Sequence, residues 1–211
     1  MSTPDYASVD DLAAFVSAAP SPYHAASEVA TRLGAAGFDR LALGHEPPGE
    51  RPAVMRHDGL VVAIARTDQP PDAPFRIVAA HTDSPNLRIR PRPDRHAVGW
   101  RQLGVEVYGG ALLNSWLDRD LGLSGRVALD DGSGVPELRE LRWDRPLLRV
   151  PQLAIHLDRD VSMAGLQLDK QAHLTPVWGL GTSTEGDFRV WLADELAVPP
   201  AAVLAWDLMC H

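Results

Sequence analysis

The sequence has 211 residues, of which 45% are hydrophobic and 23% are charged. These shares are those of an ordinary globular protein, and they exclude a chain that is disordered throughout. The formal net charge of −8 excludes nucleic acid as the main partner, because binding to phosphates requires a clustered positive field.

The location of the protein is predicted from its cysteine content and its apolar runs. Cys210 is the single cysteine, so no disulfide can form within the chain, and a reducing compartment suits it. The first twenty residues contain early acids and no basic region ahead of an apolar core, unlike a secretory signal. No apolar run approaches the roughly 20 residues that span a bilayer. We therefore expect a cytoplasmic protein that has no membrane partner.

Two helices are predicted at the start of the chain. Residues 9–18 place Leu12, Phe15 and Val16 on one helical face, the spacing that is typical of an amphipathic helix. The following stretch, "SPYHAASEVATRLGAAGF", begins with Ser21 and Pro22. Serine is a favoured N-cap and proline a favoured first helical residue, so a second helix is expected from Pro22 onward.

Three strands are predicted next. The runs "AVMRHD" and "LVVAIAR" flank Asp58-Gly59, and a turn pair between two apolar runs indicates a β-hairpin. The run "FRIVAA", residues 75–80, resembles a buried strand that stops at His81.

The rest of the chain reads as a β-rich module. Residues 91–100 are rich in proline and arginine, and short strand-like runs follow: "LGVEVYGG", "LSGRVALDDGSG", "ELRELRW", "PLLRV" and "QLAIHL". Turn residues separate these runs, a pattern typical of antiparallel strands. Residues 184–196 are predicted to form a helix, and "PPAAVLAWDLMCH" a turn with a last apolar strand.

His81 and Asp83 form the first candidate site. A strand that runs into a loop delivers side chains to the carboxyl edge of a sheet, where open α/β folds bind ligands. There His81 could offer one ring nitrogen to Zn²⁺ while Asp83 accepts the other N–H. A His-x-Asp pattern is short, however, and its spacing alone favours the end of a strand, since a zinc site needs at least three protein ligands.

His156 is the second candidate. It ends the apolar run "PQLAIHL" and precedes Asp158, so it is either a capping or core histidine or a polar group that the β-rich module delivers to an active site. Three other features favour structural roles. Gly109-Gly110 lacks the strand–loop–helix frame of a nucleotide site. Arginines near residue 90 suit ion pairs in an acidic protein. Cys210 has no basic neighbour in the sequence that would lower its pKa.

Five blocks in order resemble one known family. They are "SPYHAASEVATRLGAAGF", "AAHTDSPNLRIRP", "GVEVYGGALLNSWLDRDLGLSGRV", "RPLLRVPQLAIHLDRD" and "HLTP", and they are similar to the aspartyl aminopeptidases, zinc metallopeptidases that remove N-terminal, preferably acidic, residues from peptides. The resemblance implies an α/β fold in which a β-rich dimerisation domain interrupts a catalytic domain. It places the catalytic domain at residues 1–92, the dimerisation domain at 93–200 and a strand re-entering the catalytic domain at 201–211.

The resemblance also assigns roles to individual residues. It implies that His81 is the first ligand of a two-zinc centre and that Asp83 orients its ring. It implies that His156 reaches the active site of a neighbouring subunit in a homo-oligomer, a dimer that assembles into a dodecamer. The family's other zinc ligands and its general-base glutamate would lie beyond His211. The chain is therefore expected to be a truncated catalytic domain that is inactive alone and binds zinc weakly.

Two alternatives remain open. The chain could be a non-catalytic assembly or dimerisation module derived from the same family, which the coding sequence beyond His211 would distinguish. It could also be an unrelated sugar- or anion-binding β module, in which case the five-block match would be accidental.

Overall fold

The structure is a computed structural model that describes residues 6–45, 51–65, 70 and 73–211. The chain divides into two compact units, Met1–Ser84 and Pro85–His211. We call them unit 1 and unit 2 and describe each by itself. Among the described residues, no helix is both long and apolar enough to cross a membrane.

Unit 1 begins with the two predicted helices, α1 (Ala7–Ala18) and α2 (Pro22–Ala35). The Ser21 hydroxyl accepts a hydrogen bond from the backbone N–H of His24 and lies 2.7 Å from Nδ1 of the same residue. Ser21 therefore caps α2 as predicted. Arg32 of α2 binds Glu28 one turn earlier and Asp11 of α1, which ties the two helices together.

The sheet of unit 1 has three strands in the described residues: β1 (Asp39–Leu41), β2 (Ala53–His57) and β3 (Leu60–Ile64). Strand β2 lies between the other two, parallel to β1 and antiparallel to β3. The predicted hairpin is confirmed, and Asp58 in its turn has a φ of 53°, which short polar residues tolerate best. Arg66, the last residue of the predicted run, lies outside the described residues.

The strand predicted at residues 75–80 is not present. This segment has no regular secondary structure, and Ile77 and Val78 are 84% and 97% exposed. A strand needs a hydrogen-bonded neighbour, and none of the described strands lies along this segment. Its apolar sequence is therefore left facing solvent.

Unit 2 is built on one six-stranded sheet. In the described residues its order is β7-β6-β9-β4-β5-β8, and each neighbouring pair is antiparallel. Its strands are β4 (Asn86–Ala97), β5 (Trp100–Tyr108), β6 (Leu121–Leu129), β7 (Glu137–Leu148), β8 (Val177–Leu180) and β9 (Val203–Cys210).

Several predicted strands of unit 2 differ from the observed ones. The proline-rich run is part of β4, because a register shift between Ile89 and Asp94 accommodates Pro91 and Pro93, and prolines are tolerated at such bulges. The run "ELRELRW" and the first three residues of "PLLRV" belong to the single strand β7, which ends at Leu148. The run "QLAIHL" is a turn rather than a strand.

The division of the chain also differs from the predicted domain limits. The units meet between Ser84 and Pro85 rather than after residue 92, because β4 begins at Asn86 and pairs with β5 of unit 2. Strand β9 does not re-enter unit 1. It lies between β6 and β4 in the sheet of unit 2, where Val203 and Leu208 are buried.

Helix α4 (Asp187–Leu196), which corresponds to the helix predicted at residues 184–196, packs against the core of unit 2. A further one-turn helix, α3 (Val161–Ala164), precedes it. Phe188 is fully buried and its ring lies 5.4 Å from Trp191 and 5.3 Å from Trp206. The Asp94 carboxylate accepts hydrogen bonds from the N–H groups of Gly186 and Phe188, so strand β4 caps the start of α4.

Gly125 marks the tightest packing in the sheet. It lies in β6 opposite Leu141 of β7 and Leu208 of β9. Its φ is 143°, and a Cβ atom built on it would overlap the backbone oxygen of Asp207. Residues other than glycine rarely adopt this conformation, so the close contact between β6 and β9 requires glycine here.

We expect Gly125→Ala to destabilise the protein by about 2–4 kcal/mol, because the methyl group forces β6 from β9 and imposes backbone strain. Gly110→Ala is the matched control, since no atom lies within 4 Å of its added Cβ, and it should change stability by less than about 0.5 kcal/mol. Urea unfolding of both variants measures the difference. Equal effects of the two substitutions would contradict the assignment of Gly125.

The Asp187 carboxylate makes a pH-dependent contribution to the stability of the fold. Its pKa lies below the ordinary value, mainly because the backbone N–H and then the hydroxyl of Thr184 donate hydrogen bonds to the carboxylate. The positive charge of Arg101 and the Ser183 hydroxyl lower the pKa further, while burial opposes the shift. A lowered pKa means that the charged form stabilises the fold above the unfolded value of about 3.9. This stabilisation is lost as the pH falls through the lower folded value.

We therefore expect Asp187→Asn to lower the free energy of unfolding by about 1 kcal/mol at pH 7. The difference from the unmodified chain should shrink steadily below about pH 4. Thermal melts from pH 7 to pH 3 measure it. A constant difference over that range would show that the carboxylate charge has no part in stability.

Candidate functional site

His81 and Asp83 lie together in unit 1, as predicted. Nδ1 of His81 is 2.6 Å from the backbone oxygen of Asp83 and 3.2 Å from its carboxylate Oδ1. Both oxygens are acceptors, so a proton on Nδ1 satisfies them. The opposite nitrogen, Nε2, then carries a free lone pair. This tautomer is the one that binds a metal ion through Nε2.

The segment that carries His81 is fixed at Thr82. The Thr82 hydroxyl donates a 2.7 Å hydrogen bond to the backbone oxygen of Gly59 in the β2–β3 turn. The His81 side chain itself is 79% exposed. The hairpin thus anchors the backbone beside His81 and leaves the imidazole open to solvent.

The residues near His81 do not form a complete zinc site. In the described ranges, no group of three or more histidine, cysteine, aspartate or glutamate side chains is arranged to hold a metal ion. A protein zinc site needs at least three such ligands. The described residues around His81 therefore do not fit a closed two-zinc centre.

His156 lies in unit 2, on an exposed turn after β7. The two ends of this turn line a cavity of about 650 Å³ within unit 2, through Gln152 and Leu153 before His156 and Asp158 and Asp160 after it. His156 itself does not line the cavity. Its side chain is exposed to solvent, so it is not a core residue.

The far wall of the cavity contains His173, which the sequence indicated only through the block "HLTP". Nδ1 of His173 accepts a 2.9 Å hydrogen bond from the backbone N–H of Asp169, so the ring proton lies on Nε2. The Asp169 carboxylate accepts hydrogen bonds from the backbone N–H groups of Ala172 and Gln171, and these bonds lower the pKa of Asp169. These bonds hold the 169–173 turn in one shape.

The remaining candidates have structural roles. Arg88 pairs with Asp207 and Arg90 with Glu106, so these arginines of β4 form ion pairs with neighbouring strands, as predicted. Arg149 pairs with Asp120 and donates to the backbone oxygen of Asp118, so these residues hold each other in place within unit 2.

Comparison with known proteins identifies relatives of the whole chain. The family profile "Aminopeptidase I zinc metalloprotease (M18)" matches residues 15–210. A "Probable M18 family aminopeptidase 2" of Streptomyces avermitilis is 53% identical over 210 residues, which are 98% of this chain and 48% of that protein. The chain thus spans about half the length of this curated relative.

Solved structures share the fold. A chain from "Cryo-EM structure of the Ape4 and Nbr1 complex" superimposes with a TM-score of 0.85 at 30% identity, over 95% of this chain and 43% of that one. A chain from "Structure of S. cerevesiae mApe1 dodecamer" gives a TM-score of 0.68 at 19% identity, over 96% of this chain and 47% of that one. The mixed α/β fold with its β-rich unit is therefore that of M18 structures.

Cys210 is excluded as a nucleophile by its surroundings. It is 1% exposed, and burial raises the pKa of its thiol to about 12. Because the thiolate is the reactive form, we expect no labelling of the folded chain by a thiol reagent at pH 8 and one label per chain in urea. Mass spectrometry counts the labels, and rapid labelling of the folded protein would contradict the buried position of β9.

Proposed function

Since the chain belongs to the aminopeptidase I zinc metalloprotease (M18) family, we propose that it supplies part of a metalloaminopeptidase that removes N-terminal residues from peptides. The preferred N-terminal residues are acidic, as in the aspartyl aminopeptidases that the sequence blocks resemble. The observation that carries the proposal is the His81–Asp83 pair, with its free Nε2, inside a family match that covers residues 15–210. We place this activity in the cytoplasm.

Within this function His81 binds zinc through Nε2, and Asp83 holds the ring in the required tautomer. The described residues supply this one ligand and no cluster of three, so the remaining ligands of a two-zinc centre come from outside them. We therefore propose that the 211-residue chain binds zinc weakly and does not hydrolyse peptides by itself.

His156 acts on the substrate side rather than on the metal. Its exposed turn suits a residue that enters the active site of a neighbouring copy, which requires a homo-oligomer. The structural relative mApe1 forms a dodecamer. We propose that this chain also assembles with copies of itself, through unit 2, with the dodecamer of the complete protein as its largest form.

A second candidate function is a non-catalytic assembly module. It is favoured by the contrast between the two units: unit 2 has a continuous sheet with a buried core, whereas unit 1 leaves Ile77 and Val78 exposed. In this case oligomer formation would be the function of the chain, and zinc binding would be incidental.

Calorimetric titration with Zn²⁺ tests the first proposal. We expect the unmodified chain to bind zinc with a dissociation constant above about 1 μM, because a single imidazole cannot close a tight site, and His81→Ala to weaken that binding further. His57→Ala is the matched control, since His57 is also an exposed histidine of unit 1 with an aspartate, Asp58, 3.9 Å away. His156→Ala should leave zinc binding unchanged.

Hydrolysis of an aspartyl anilide by the same samples should be undetectable. Stoichiometric tight zinc with hydrolysis that His81→Ala abolishes would overturn the proposed inactivity of the chain. Equal zinc binding by the His81→Ala and His57→Ala variants would overturn the metal role of His81 and favour the assembly module.

A further inference from the structure

Strand β7 ends the sheet of unit 2 on one side. It pairs with β6 in an unbroken register from Glu137 to Trp143. Along this stretch no described strand pairs with its other side, whereas just past the end of β7 Arg149 forms a bridge with Val177 of β8. The outer side of an edge strand presents backbone N–H and C=O groups at every second residue, and these groups can pair with another strand. A long edge of this kind is therefore a template for association.

Two prolines limit the part of this edge that can pair. Pro136 precedes β7 and Pro146 lies near its end, and proline has no backbone N–H to contribute to a ladder. The stretch between them is centred on Leu141. Prolines at equal distances from one residue allow a ladder that is symmetric about that residue and stops at both ends.

We propose that β7 pairs with β7 of a second copy of this chain, antiparallel and centred on Leu141, so that the two sheets continue into one. The proposal rests on the homo-oligomer of the proposed function and names the surface that forms it. A two-fold axis perpendicular to the sheet reverses the strand and keeps its faces on the same side. Residues at equal distances from Leu141 then lie opposite each other.

The side chains of β7 are complementary in this register. Glu140 lies opposite Arg142 of the second copy, and the symmetry repeats this pair. Arg139 lies opposite the Trp143 ring, an arrangement that suits a cation and an aromatic face. At the outer end Glu137 lies opposite Arg145, which is already bound to Glu195 of its own chain. Opposite charges facing each other across strands stabilise a sheet, whereas like charges facing each other destabilise it.

Contacts within the chain already align these charges. Glu140 lies opposite Arg126 of β6 in the register, Arg142 binds Asp144 at 2.7 Å and Arg139 binds Glu137 at 3.0 Å. The second copy would extend the row from Arg126 through Glu140 to its own Arg142. Charged side chains on an edge often prevent association; here their order about Leu141 brings opposite signs together.

Sedimentation velocity of charge-reversal variants tests the proposal. In a pair of Glu140→Arg chains, the arginine introduced in each copy would face Arg142 of the other, which gives two repulsive contacts. In a pair of Arg142→Glu chains, two pairs of glutamates would face each other in the same way. We expect each variant alone to self-associate about tenfold more weakly than the unmodified chain. In an equimolar mixture arginines meet glutamates again, so association should return to within about threefold of the original.

The mixture separates an interface effect from a folding effect, because mixing leaves the contacts inside each chain as they were. Glu185→Arg, the same charge change at an exposed residue of unit 2 outside β7, is the control and should associate like the unmodified chain. Circular dichroism melts verify that each variant is folded.

Several outcomes overturn the proposal. If the single variants associate as strongly as the unmodified chain, β7 is not the contact, and the homo-oligomer stands on another surface. If each variant associates weakly alone and the equimolar mixture also associates weakly, the register about Leu141 is wrong. An unmodified chain that remains monomeric at every concentration overturns both this contact and the proposed homo-oligomer.

Discussion

The sheet of unit 2 depends on the insertion of β9 between β6 and β4. These two flanking strands belong to earlier parts of the chain, and β9 joins the halves β7-β6 and β4-β5-β8 within the sheet. Arg149, directly after β7, also forms a bridge with Val177 of β8. The contact with β6 is tight enough to require Gly125, and the contact with β4 includes the Arg88–Asp207 ion pair. Trp206 adds a hydrogen bond to the backbone oxygen of Arg90. The core of unit 2 also depends on β9, because Trp206 lies against Phe188 of α4.

Local chemistry explains which elements the sequence predicted. Ser21 with Pro22 and the turn at Asp58 act within a few residues, so their signals are complete in the sequence. Strand β4 was missed because its prolines read as a break, whereas a bulge near Asp94 accommodates them. Residues 75–80 have a strand's pattern, but a strand also needs a neighbour, and pattern alone does not supply one.

The same distinction between local and distant contacts applies to the site. Asp83 is two residues from His81, so the pair could be predicted from the sequence, and the 3.2 Å contact confirms their proximity. The zinc role proposed for His81 rests on the resemblance, because a zinc centre joins ligands from distant parts of a fold. For His156 the sequence predicted a strand end, whereas the residue lies on an exposed turn.

The position of β9 also determines how unit 2 responds to mechanical force. An unfolding machine that pulls on the backbone at Cys210 draws first on a strand in the middle of the sheet rather than on an edge. Once β9 leaves, β6 and β4 have no common neighbour and Phe188 loses Trp206. Extraction of β9 therefore removes the strand between the two halves of the sheet together with part of the core, so much of the resistance of unit 2 to such a machine lies in this one strand.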